Sequence, residues 1–444
     1  MMGRILPNIN YTLKHDLCTG CGICEGACPS EAITTIVKNG RFLPSIDSTQ
    51  CNNSRGCHRC YDACPGVGVN LVQMAKELFV DKDMKHDKMC GPYLKCYTGY
   101  SNNYDIRYHS ASGGMVSQFL IWLLENKKID GAIVTRFDAG NPLLATSFLA
   151  TTPEEIISAR SSKYSPVTLN RAAHDIKNAS GSRYVVVGLP CHIQGMRKLM
   201  AIDKKLRDKI FGLFAIYCSC GRTFYLTEHV FKERGISQKD ITYFQYRDDG
   251  CLGSMKVKMP KEKGGTIRVL NSNSESILYN EERVYKEYFQ SYYHPLRSFF
   301  VPRRCLLCID HYGELGDICF GDIHIKPYSD DKIGVNSLIV KKLIWLDLLM
   351  ECENDGAVKL DEISFQTISD SQKMSLKKKG RNGAFVNICK KMGQVTPEYD
   401  VDYLRHPTLH DWLDYTQNRF QQFLGRHKLL WPIVTKLKSK VNIH

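Results

Sequence analysis

The sequence predicts an α+β protein in three parts: a small cysteine-rich N-terminal module, a mixed α/β domain and a mostly helical C-terminal tail. Eight cysteines in two repeated groups lie within residues 18–64. Strand-like runs that end in tight turns and lead into helices recur between residues 97 and 335, whereas residues 336–444 alternate helix-like and polar stretches. With 43% apolar residues, the 444-residue chain can bury a substantial core.

The N-terminal module, residues 1–80, carries the repeat Cys-x2-Cys-x2-Cys-x3-Cys-Pro followed by Cys-x5-Cys-x2-Cys-x3-Cys-Pro. This order is the signature of a bacterial-type ferredoxin with two [4Fe–4S] clusters, because three closely spaced thiolates surround one cluster and the thiolate before proline reaches the other. The first cluster is therefore assigned to Cys18, Cys21, Cys24 and Cys64. The second is assigned to Cys28, Cys51, Cys57 and Cys60. Short strands are expected at 31–38 and 41–46.

The second cysteine group departs from the usual spacing. Residues 52–56 fill its first gap, where two residues are usual, so a bulged loop with an unchanged number of ligands is expected. Zinc in two four-cysteine sites and disulfides are the alternatives. The Cys-Pro endings and the interlocked repeat favour iron–sulfur over zinc, and nothing marks the chain for export, which disfavours disulfides.

Charge and hydropathy predict a cytoplasmic protein without a transmembrane segment. Residues 1–15 do not resemble a signal peptide, and no apolar run reaches the roughly 18 residues of a membrane span. The formal charge is +14, but each oxidised cluster with four thiolates contributes about −2. The remaining charge can attract an acidic redox partner. The dense basic run at 377–381 is interpreted as a solvated face, so no nucleic acid is expected.

A second domain is expected after a linker at residues 81–96, in which Cys90 and Cys96 are interpreted as free thiols. Residues 110–114, Ser-Ala-Ser-Gly-Gly, precede a helix at 115–125 with a broad apolar face. Ser112 is a candidate N-cap, and the two glycines would let a ligand approach the first turn, where free N–H groups attract phosphate. An ordinary capped helix is the alternative interpretation.

Two further cysteine turns follow predicted strands. A strand at 183–187 ends in Gly188-Leu189-Pro190-Cys191 before a helix, and a strand at 210–217 ends in Cys218-Ser219-Cys220 before another. Both turns are expected at the carboxyl ends of neighbouring strands, where open α/β sheets bind ligands. Antiparallel strands are expected at 243–247, 256–259 and 266–270.

The pair Cys305-x2-Cys308 adds two thiolates, so with the two strand-end turns the chain has enough for one more [4Fe–4S] cluster. Zinc is the alternative for this pair. The other cysteines are interpreted as structural thiols: Cys220, Cys251, Cys319, Cys352 and Cys389. The basic segment 426–440 is interpreted as a packed terminal helix, and the alternative is contact with an anionic membrane surface or a partner helix.

The chain resembles the coenzyme F420 hydrogenase/dehydrogenase beta-subunit family in a form with a fused N-terminal two-cluster ferredoxin. The resemblance covers about residues 1–330. It is carried by the order of the motifs Gly91-Pro92-Tyr93, Ser110-Ala111-Ser112-Gly113-Gly114, Ser162-Lys163-Tyr164, Gly188-Leu189-Pro190-Cys191, Tyr217-Cys218, Cys305-x2-Cys308, and Gly316-Asp317-Ile318 through Gly321-Asp322.

The resemblance implies an oxidoreductase that holds FAD, rather than FMN, beside a third [4Fe–4S] cluster. Its implied cluster ligands are Cys191, Cys218, Cys305 and Cys308, with Cys220 as a competitor of Cys218. Its implied flavin site comprises Ser110, Ser112, Gly113, Gly114, Lys163, Tyr164 and Pro190. Lys163 and Tyr164 would be the catalytic pair, with Lys163 facing the N1–C2=O edge to stabilise the reduced flavin. By this assignment residues 97–180 and 181–335 are the two halves of the family domain.

The expected function is electron transfer between the clusters and a flavin that reduces or oxidises a deazaflavin coenzyme or another organic substrate. A flavin exchanges two electrons with a substrate and one at a time with a cluster. A redox protein or a reduced ferredoxin is the expected partner. The alternatives are a non-catalytic electron-transfer subunit of a larger complex and a structural zinc or assembly protein.

Overall fold

The structure, a computed structural model, describes residues 7–138, 140–261, 267–270, 272–279, 281–296, 298–373, 378–400 and 405–438. Its strands are β1 Ile33–Lys38, β2 Arg41–Ile46, β3 Gly68–Val69, β4 Lys85–Asp87, β5 Gly91–Tyr93, β6 Lys95–Ser101, β7 Gly131–Phe137, β8 Ala145–Ala150, β9 Tyr184–Gly188, β10 Ile210–Ile216, β11 Tyr243–Asp248, β12 Ser254–Pro260, β13 Ser274–Tyr279, β14 Glu282–Tyr288, β15 Ile318–Asp322, β16 Asn336–Val340, β17 Val358–Ile363 and β18 Glu398–Tyr399.

Helices connect these strands and cover the sheets. They are α1 Asn10–Lys14, α2 Ile23–Ala27, α3 Arg59–Asp62, α4 Leu71–Leu78, α5 Tyr104–Tyr108, α6 Met115–Glu125, α7 Pro153–Ser158, α8 Ala172–Asn178, α9 Pro190–Ile202, α10 Lys204–Arg207, α11 Phe224–Arg234, α12 Phe289–Tyr293, α13 Arg303–Leu306, α14 Leu343–Asn354, α15 Phe365–Ser371, α16 Gly383–Lys391, α17 Leu409–Arg426 and α18 Trp431–Lys438. Short 3-10 turns lie at Asn52–Arg55, Gln238–Asp240, His294–Leu296, Tyr328–Asp330 and Lys428–Leu430, and a π-helical turn at Lys378–Asn382.

An eight-stranded mixed sheet forms the centre, in the order β17-β6-β16-β15-β10-β9-β7-β8. The inner strands β15, β10, β9 and β7 are parallel, and the outer strands pair antiparallel. Phe214 of β10 lies opposite both Val187 and Ile318. Because the inner strands are parallel, the turns after β9 and β10 leave the sheet at the same edge, which is the edge where such sheets bind ligands.

Both faces of the sheet are covered. Val186 and Leu213 face a core that includes the N-terminal module, α8 and α9. Their neighbours Val185 and Phe214 face a second core that includes α6 and α14. This alternation follows from the period of two along a strand, and the continuous apolar runs are typical of strands buried on both faces.

A smaller antiparallel sheet, in the order β11-β12-β14-β13, packs with α11, α12 and α18 around a third core. Trp431 and Val434 of α18 are buried in this core. The interpretation of the terminal segment as a packed helix is therefore confirmed up to residue 438, and residues 439–440 of that segment lie outside the described residues.

The N-terminal module packs directly on helix α9. Gly195 of α9 lies so close to α2 that an added Cβ would be 2.8 Å from Cγ1 of Ile23. The N–H of Leu169 donates to the carbonyl of Cys21 at 2.8 Å, and Nζ of Lys198 donates to the carbonyl of Cys64 at 2.8 Å. These contacts place the first cysteine repeat beside the helix that begins at Pro190.

Several expected elements agree with the structure. Helix α6 has the expected bounds, β1, β2, β9 and β10 lie within two residues of the predicted positions, and the helix expected after Cys220 is α11. The expected strand at 266–270 is wrong, because residues 267–270 form no strand and β13 pairs with β14 instead. Thr266 lies outside the described residues.

The C-terminal tail is less helical than expected. Strands β16 and β17 belong to the central sheet and flank β6 on its two sides. Their hydrogen-bonding partner lies far away in sequence, so no local pattern identifies it. The expectation of a mostly helical extension is therefore wrong at Asn336–Val340 and Val358–Ile363, whereas α14 between them is helical, as expected. The segment 365–438 is mostly helical, as expected.

Two segments differ from the interpretation of their sequence. Residues 81–96, predicted as a linker, form the hairpin β4–β5, and Cys90 is fully buried. In the basic run, Lys378 and Lys379 are buried, and Lys379 forms an ion pair with Glu314 at 2.7 Å. The interpretation of this run as a solvated face is therefore wrong for both residues, and Lys377 lies outside the described residues.

Candidate functional site

Four thiols from both halves of the N-terminal repeat line one small cavity: Cys18, Cys21, Cys24 and Cys64. Burial and neighbouring thiols raise the pKa of Cys18 to about 12 and that of Cys21 to about 11. The backbone N–H groups of Gly20 and Gly66 donate to Sγ of Cys18 at 3.4 Å and of Cys64 at 3.3 Å. Such bonds to sulfur are typical of iron–sulfur sites, and this grouping matches the assignment made from the repeat.

The second thiol set lies nearer the surface. Cys60 is buried, whereas Cys28, Cys51 and Cys57 are half-buried. Burial and the thiols of Cys28 and Cys57 raise the pKa of Cys60 to about 11, and Cys60 in turn contributes to the raised pKa of Cys24. The two sets are therefore neighbours. The residues inserted after Cys51 form a 3-10 turn at Asn52–Arg55, whose second half is exposed.

The third thiol set forms at the carboxyl edge of the central sheet. Cys191 is the second residue of α9, Cys218 follows β10, and Cys305 lies on α13 with Cys308 just beyond it. Burial and the thiols of Cys21, Cys218 and Cys308 raise the pKa of Cys191. The structure therefore brings together the ligands implied by the resemblance, and it places Cys21 of the first set close to Cys191 of the third.

Cys220 belongs to the same group of thiols, which corrects its interpretation as a structural thiol. A hydrogen bond with the thiol of Cys305 lowers the pKa of Cys220 and raises that of Cys305. The structure thus offers five thiols where four are needed, and Cys220 remains a competitor of Cys218.

Three residues outside the predicted site hold the backbone around these thiols. Nζ of Lys378 donates to the carbonyl of Cys218 at 2.8 Å, and Nδ2 of Asn382 donates to that of Cys308 at 2.7 Å. The guanidinium of Arg304 donates to the carbonyls of Pro65 and Gly66 at 2.9 and 3.1 Å. A buried lysine in a basic run carries no local sign of this role, so sequence reasoning missed it.

No three thiols of the described residues lie as close to one another as a zinc site requires. A tetrahedral Zn–S distance of about 2.3 Å brings thiolates within about 3.8 Å of one another. Among the described residues, the only group of three or more potential ligands whose atoms all lie within 4.8 Å is His109, Asp248 and Asp249. Lys256 pairs with both carboxylates of that group, so the group has its own counter-ion. The three thiol sets fit a larger centre such as a [4Fe–4S] cluster.

A cleft of about 1560 Å³ opens beside the third thiol set. Cys218, Cys220 and Cys305 line one side of it. Val116 and Ser117, in the first turn of α6, line it as well. Because the N-terminus of an α-helix carries partial positive charge, this wall can receive an anionic group.

Three polar atoms in the wall of the cleft lack a partner: Nε of Arg222, Nδ1 of His311 and Oγ of Ser165. All three side chains are buried. A buried polar atom without a hydrogen bond costs free energy, so such atoms indicate a ligand or water at the site. Burial lowers the pKa of His311 to about 3, which keeps its imidazole neutral. The volume of the cleft and these unpaired polar atoms are compatible with a large, partly polar ligand, and a flavin is one such compound.

Lys163 lines the cleft, but its ammonium is already bonded. Nζ donates to the carbonyls of Ala159, Arg160 and Ser161 at 2.6, 2.8 and 2.9 Å. Burial lowers its pKa to about 7, whereas three carbonyl acceptors favour the protonated form. Since lysine has three N–H donors, a bond to a flavin would require the loss of one carbonyl contact. The arrangement differs from the expected contact between Lys163 and the ring.

Tyr164 packs among aromatic rings at the cleft, with centroids 4.7 Å from those of Phe289 and Tyr293. Nη1 of Arg247 donates to its hydroxyl at 3.2 Å and to Asp322 at 2.7 Å. Burial raises the pKa of Tyr164, so the phenol stays neutral. Sequence reasoning missed Arg247, because a single arginine at the end of a strand has no distinguishing local pattern.

Of the other residues implied for the flavin site, some line the cleft and others do not. Ser110, Ser112 and Gly114 line the cleft, whereas Gly113 and Pro190 do not. A Cβ on Gly113 would lie 2.7 Å from the carbonyl of Gly99, so this glycine is required by packing on β6. Ser112 donates to the carbonyl of Val335 at 2.8 Å. It is therefore not the N-cap, a position held by Gly114 with φ +74°.

Family profiles match most of the chain. "Coenzyme F420 hydrogenase/dehydrogenase, beta subunit N-term" matches residues 96–173, and the companion profile for the C-terminal part of the same beta subunit matches residues 181–365. The profile "4Fe-4S binding domain" matches residues 11–34. The second profile reaches thirty residues further than the boundary at 335 expected for that half.

Two of the proteins to which the chain is similar have coenzyme F420 in their names. It is 24% identical over 370 residues to the coenzyme F420-dependent sulfite reductase of Methanocaldococcus jannaschii, covering 80% of this chain and 49% of that protein. The chain thus spans about half the length of this relative. It is 24% identical over 316 residues to the coenzyme F420 hydrogenase subunit beta of Methanococcus voltae, covering 69% of this chain and 99% of that protein.

A chain in the structure of the F420-reducing [NiFe] hydrogenase complex from Methanosarcina barkeri shares the fold. Its TM-score is 0.51 at 16% identity, over 73% of this chain and 99% of that chain. Among the described residues, no helix has both the length and the apolar character needed to cross a membrane.

Proposed function

Because the chain belongs to the coenzyme F420 hydrogenase/dehydrogenase beta-subunit family and carries a 4Fe–4S binding domain at its N-terminus, we propose that it is an iron–sulfur flavoprotein oxidoreductase. Three clusters would pass single electrons between a redox partner and a flavin in the cleft. The flavin would reduce or oxidise a deazaflavin coenzyme or another organic substrate.

One observation carries this proposal: the third thiol set and the cleft share a wall. Cys218, Cys220 and Cys305 belong to both. A cluster held there would lie against whatever ring the cleft binds, so an electron could pass between them without a mobile carrier. An isolated ferredoxin module would need neither the cleft nor the third thiol set.

The cluster ligands proposed are those assigned from the sequence. The first cluster takes Cys18, Cys21, Cys24 and Cys64, the second Cys28, Cys51, Cys57 and Cys60, and the third Cys191, Cys218, Cys305 and Cys308. The position of Cys60 near Cys24, and of Cys21 near Cys191, supports a continuous path from the half-exposed second set to the cleft.

FAD is the flavin proposed, because a cleft of about 1560 Å³ has room for a dinucleotide and the first turn of α6 offers a place for its diphosphate. When bound, the flavin supplies the exchange of one and two electrons. The role of the chain is to hold it: Ser110, Ser112 and Gly114 shape the approach to α6. Tyr164 contributes an aromatic wall beside the Arg247–Asp322 ion pair, whose charges offset each other, and Lys163 fixes the loop at 159–161.

A second candidate function is a non-catalytic electron-transfer subunit in a larger complex. It is favoured by the similarity to a hydrogenase beta subunit and by the likeness to a chain of a hydrogenase complex. The same clusters would then serve a neighbouring protein. In either case we propose a cytoplasmic protein that exchanges electrons with a redox protein or a reduced ferredoxin.

Anaerobic purification followed by iron, sulfide and flavin analysis tests the proposal. It predicts about twelve irons and twelve sulfides per chain for three clusters, and one flavin. Twelve irons with no flavin after reconstitution would favour the non-catalytic subunit. Zinc in place of iron would reject both functions.

A further inference from the structure

Arg222 occupies an unusual position between the third thiol set and the cleft. It follows Cys220 by two residues, precedes α11 and is buried. Nη1 donates to the carbonyls of Cys220 and Gly221 at 3.2 and 2.9 Å, and the guanidinium lies 4.9 Å from the ring centroid of Tyr293. Nε is buried without a hydrogen-bond partner.

No carboxylate of the described residues lies within ion-pair distance of Arg222. Three other buried arginines have one: Arg197 pairs with Asp317, Arg234 with Glu287 and Arg247 with Asp322, each at 2.7 Å. Buried Arg303 and Arg304 also lack a carboxylate among the described residues, but they donate to carbonyl oxygens through both sides of the guanidinium. An unpaired charge in the interior is strongly unfavourable. A buried guanidinium that has neither an acidic partner nor a bond at Nε therefore indicates an anion that the polypeptide itself does not supply.

The neighbouring thiols show where that anion belongs. A Cβ added to Gly221, the residue before Arg222, would lie 3.1 Å from Sγ of Cys305, and Nη1 of Arg222 donates to the carbonyl of Cys220, so the guanidinium lies beside the third thiol set. Two other buried cations, Arg304 and Lys378, also lie beside the third set without an ion-pair partner in the described residues, but their donors are bonded to carbonyls. Only Arg222 combines an unpaired donor with a position in the wall of the cleft.

We propose that Arg222 is the counter-ion of the third [4Fe–4S] cluster and a positioning residue that raises its reduction potential. The inference rests on the proposed function, because it requires a cluster at Cys191, Cys218, Cys305 and Cys308. Reduction adds one electron from the donor and takes the net charge of the cluster with its four thiolates from about −2 to about −3. A fixed positive charge stabilises the more negative state, and the free Nε–H is the donor available to it.

The test is a potentiometric titration followed by electron paramagnetic resonance on the full-length, reconstituted holoprotein. The signal of the third cluster is identified by its absence in Cys308→Ala. Arg222→Gln removes the charge at similar size, and Arg222→Lys keeps it. Arg160→Gln is the matched control, because Arg160 also lines the cleft but already pairs with Asp105 at 2.7 Å.

Arg222→Gln is expected to reduce the equilibrium constant for one-electron reduction of the third cluster at least tenfold, which corresponds to about 59 mV. Arg222→Lys should recover most of that change. Arg160→Gln should match the wild type, and the two ferredoxin clusters should titrate alike in every protein. If Arg222→Gln holds about twelve irons per chain and the midpoint potential of its third cluster is unchanged, the counter-ion role is overturned and the proposed function is left intact.

If Arg222→Gln fails to retain the third cluster, Arg222→His decides the question. Imidazole is charged at pH 5.5 and neutral at pH 8.5, given an ordinary pKa of about 6.5. From pH 5.5 to pH 8.5 the midpoint potential of the third cluster should then fall more steeply in Arg222→His than in the wild type. An equal pH dependence in the two proteins overturns the inference. A wild-type protein with about eight irons and no third signal contradicts the proposed function, and the role of Arg222 fails with it.

Discussion

Cys218 and Cys220 compete at the residue scale for one position in the third cluster. Both line the cleft, but their surroundings differ. The N–H of Cys218 donates to the carbonyl of His311 at 2.9 Å, and its carbonyl accepts from Lys378, so this residue is fixed at both ends. Cys220 instead bonds to the thiol of Cys305.

Cys218→Ser is therefore expected to lose the third cluster, about four of twelve irons, whereas Cys220→Ser should retain it. Iron and sulfide analysis of the two reconstituted variants measures this directly. Cys251→Ser, which changes a cleft-lining thiol outside the set, is the control and should keep all the iron. Loss of iron in Cys220→Ser alone would exchange the assignments of Cys218 and Cys220.

Lys163 illustrates how a side chain named by a motif can have another role. Its three carbonyl contacts hold the loop that follows α7. Lys163→Met leaves three carbonyls without their donor and should lower the free energy of unfolding by about 1–3 kcal/mol. The flavin midpoint should not change.

Thermal unfolding and a flavin redox titration of Lys163→Met measure the two quantities separately. Lys373→Met is the matched control, because Lys373 lines the same cleft but is exposed. A large fall in the flavin midpoint with unchanged stability would restore the direct contact with the ring that the resemblance implies.

At the scale of elements, the packing contact between α2 and α9 holds the first thiol set next to the third. Gly195 is required there, because an added Cβ would approach Ile23 at 2.8 Å. Glycine to alanine within a helix ordinarily stabilises by about 1 kcal/mol. Gly195→Ala should nevertheless destabilise the protein, by about 1–3 kcal/mol, because overpacking outweighs helix propensity.

Thermal unfolding of Gly195→Ala tests how closely α2 and α9 pack at this position. Ala201→Gly, at an exposed position of the same helix, provides a control for helix propensity alone and should cost about 1 kcal/mol. A Gly195→Ala protein more stable than the wild type would show that α2 and α9 are not in close contact.

Local patterns identified most of the elements that position the site. The apolar face of α6 and the β-branched runs of β9 and β10 were sufficient to predict these elements, because their periodicity is local. Strands β16 and β17 were missed, because their partner β6 lies far away in sequence. The basic run at 378–379 was misread for the same reason: its acceptors, such as the carbonyl of Cys218, come from distant segments.

The residues of the candidate site also divide into those that the sequence predicts and those that only the folded structure reveals. Cysteine spacing predicts the two ferredoxin clusters, and the family resemblance supplies the third set. Arg222, Arg247 and His311 have no motif of their own, and their importance depends on burial and on unpaired or buried donors. Such features exist only after folding, so no reading of the sequence alone would have found them.

At the scale of the whole molecule, the three thiol sets form a path whose outer end is the half-exposed second set. Cys57→Ala should remove this cluster and slow the reduction of the flavin by a protein donor at least tenfold. Reduction by dithionite, a small reductant, should be much less affected.

Stopped-flow reduction with reduced ferredoxin and with dithionite compares the two routes. The control is His58→Ala, which changes an exposed neighbour without removing a thiol. Equal rates for Cys57→Ala and the wild type with the protein donor would mean that electrons enter elsewhere.

The most direct test of the central claim is an anomalous difference map, recorded at the iron absorption edge, of anaerobically grown crystals of the holoprotein. The account predicts three iron sites, each enclosed by one of the three thiol sets, with flavin density in the cleft against the third. Iron at the two ferredoxin positions alone, with no iron between Cys191, Cys218, Cys305 and Cys308, would contradict it.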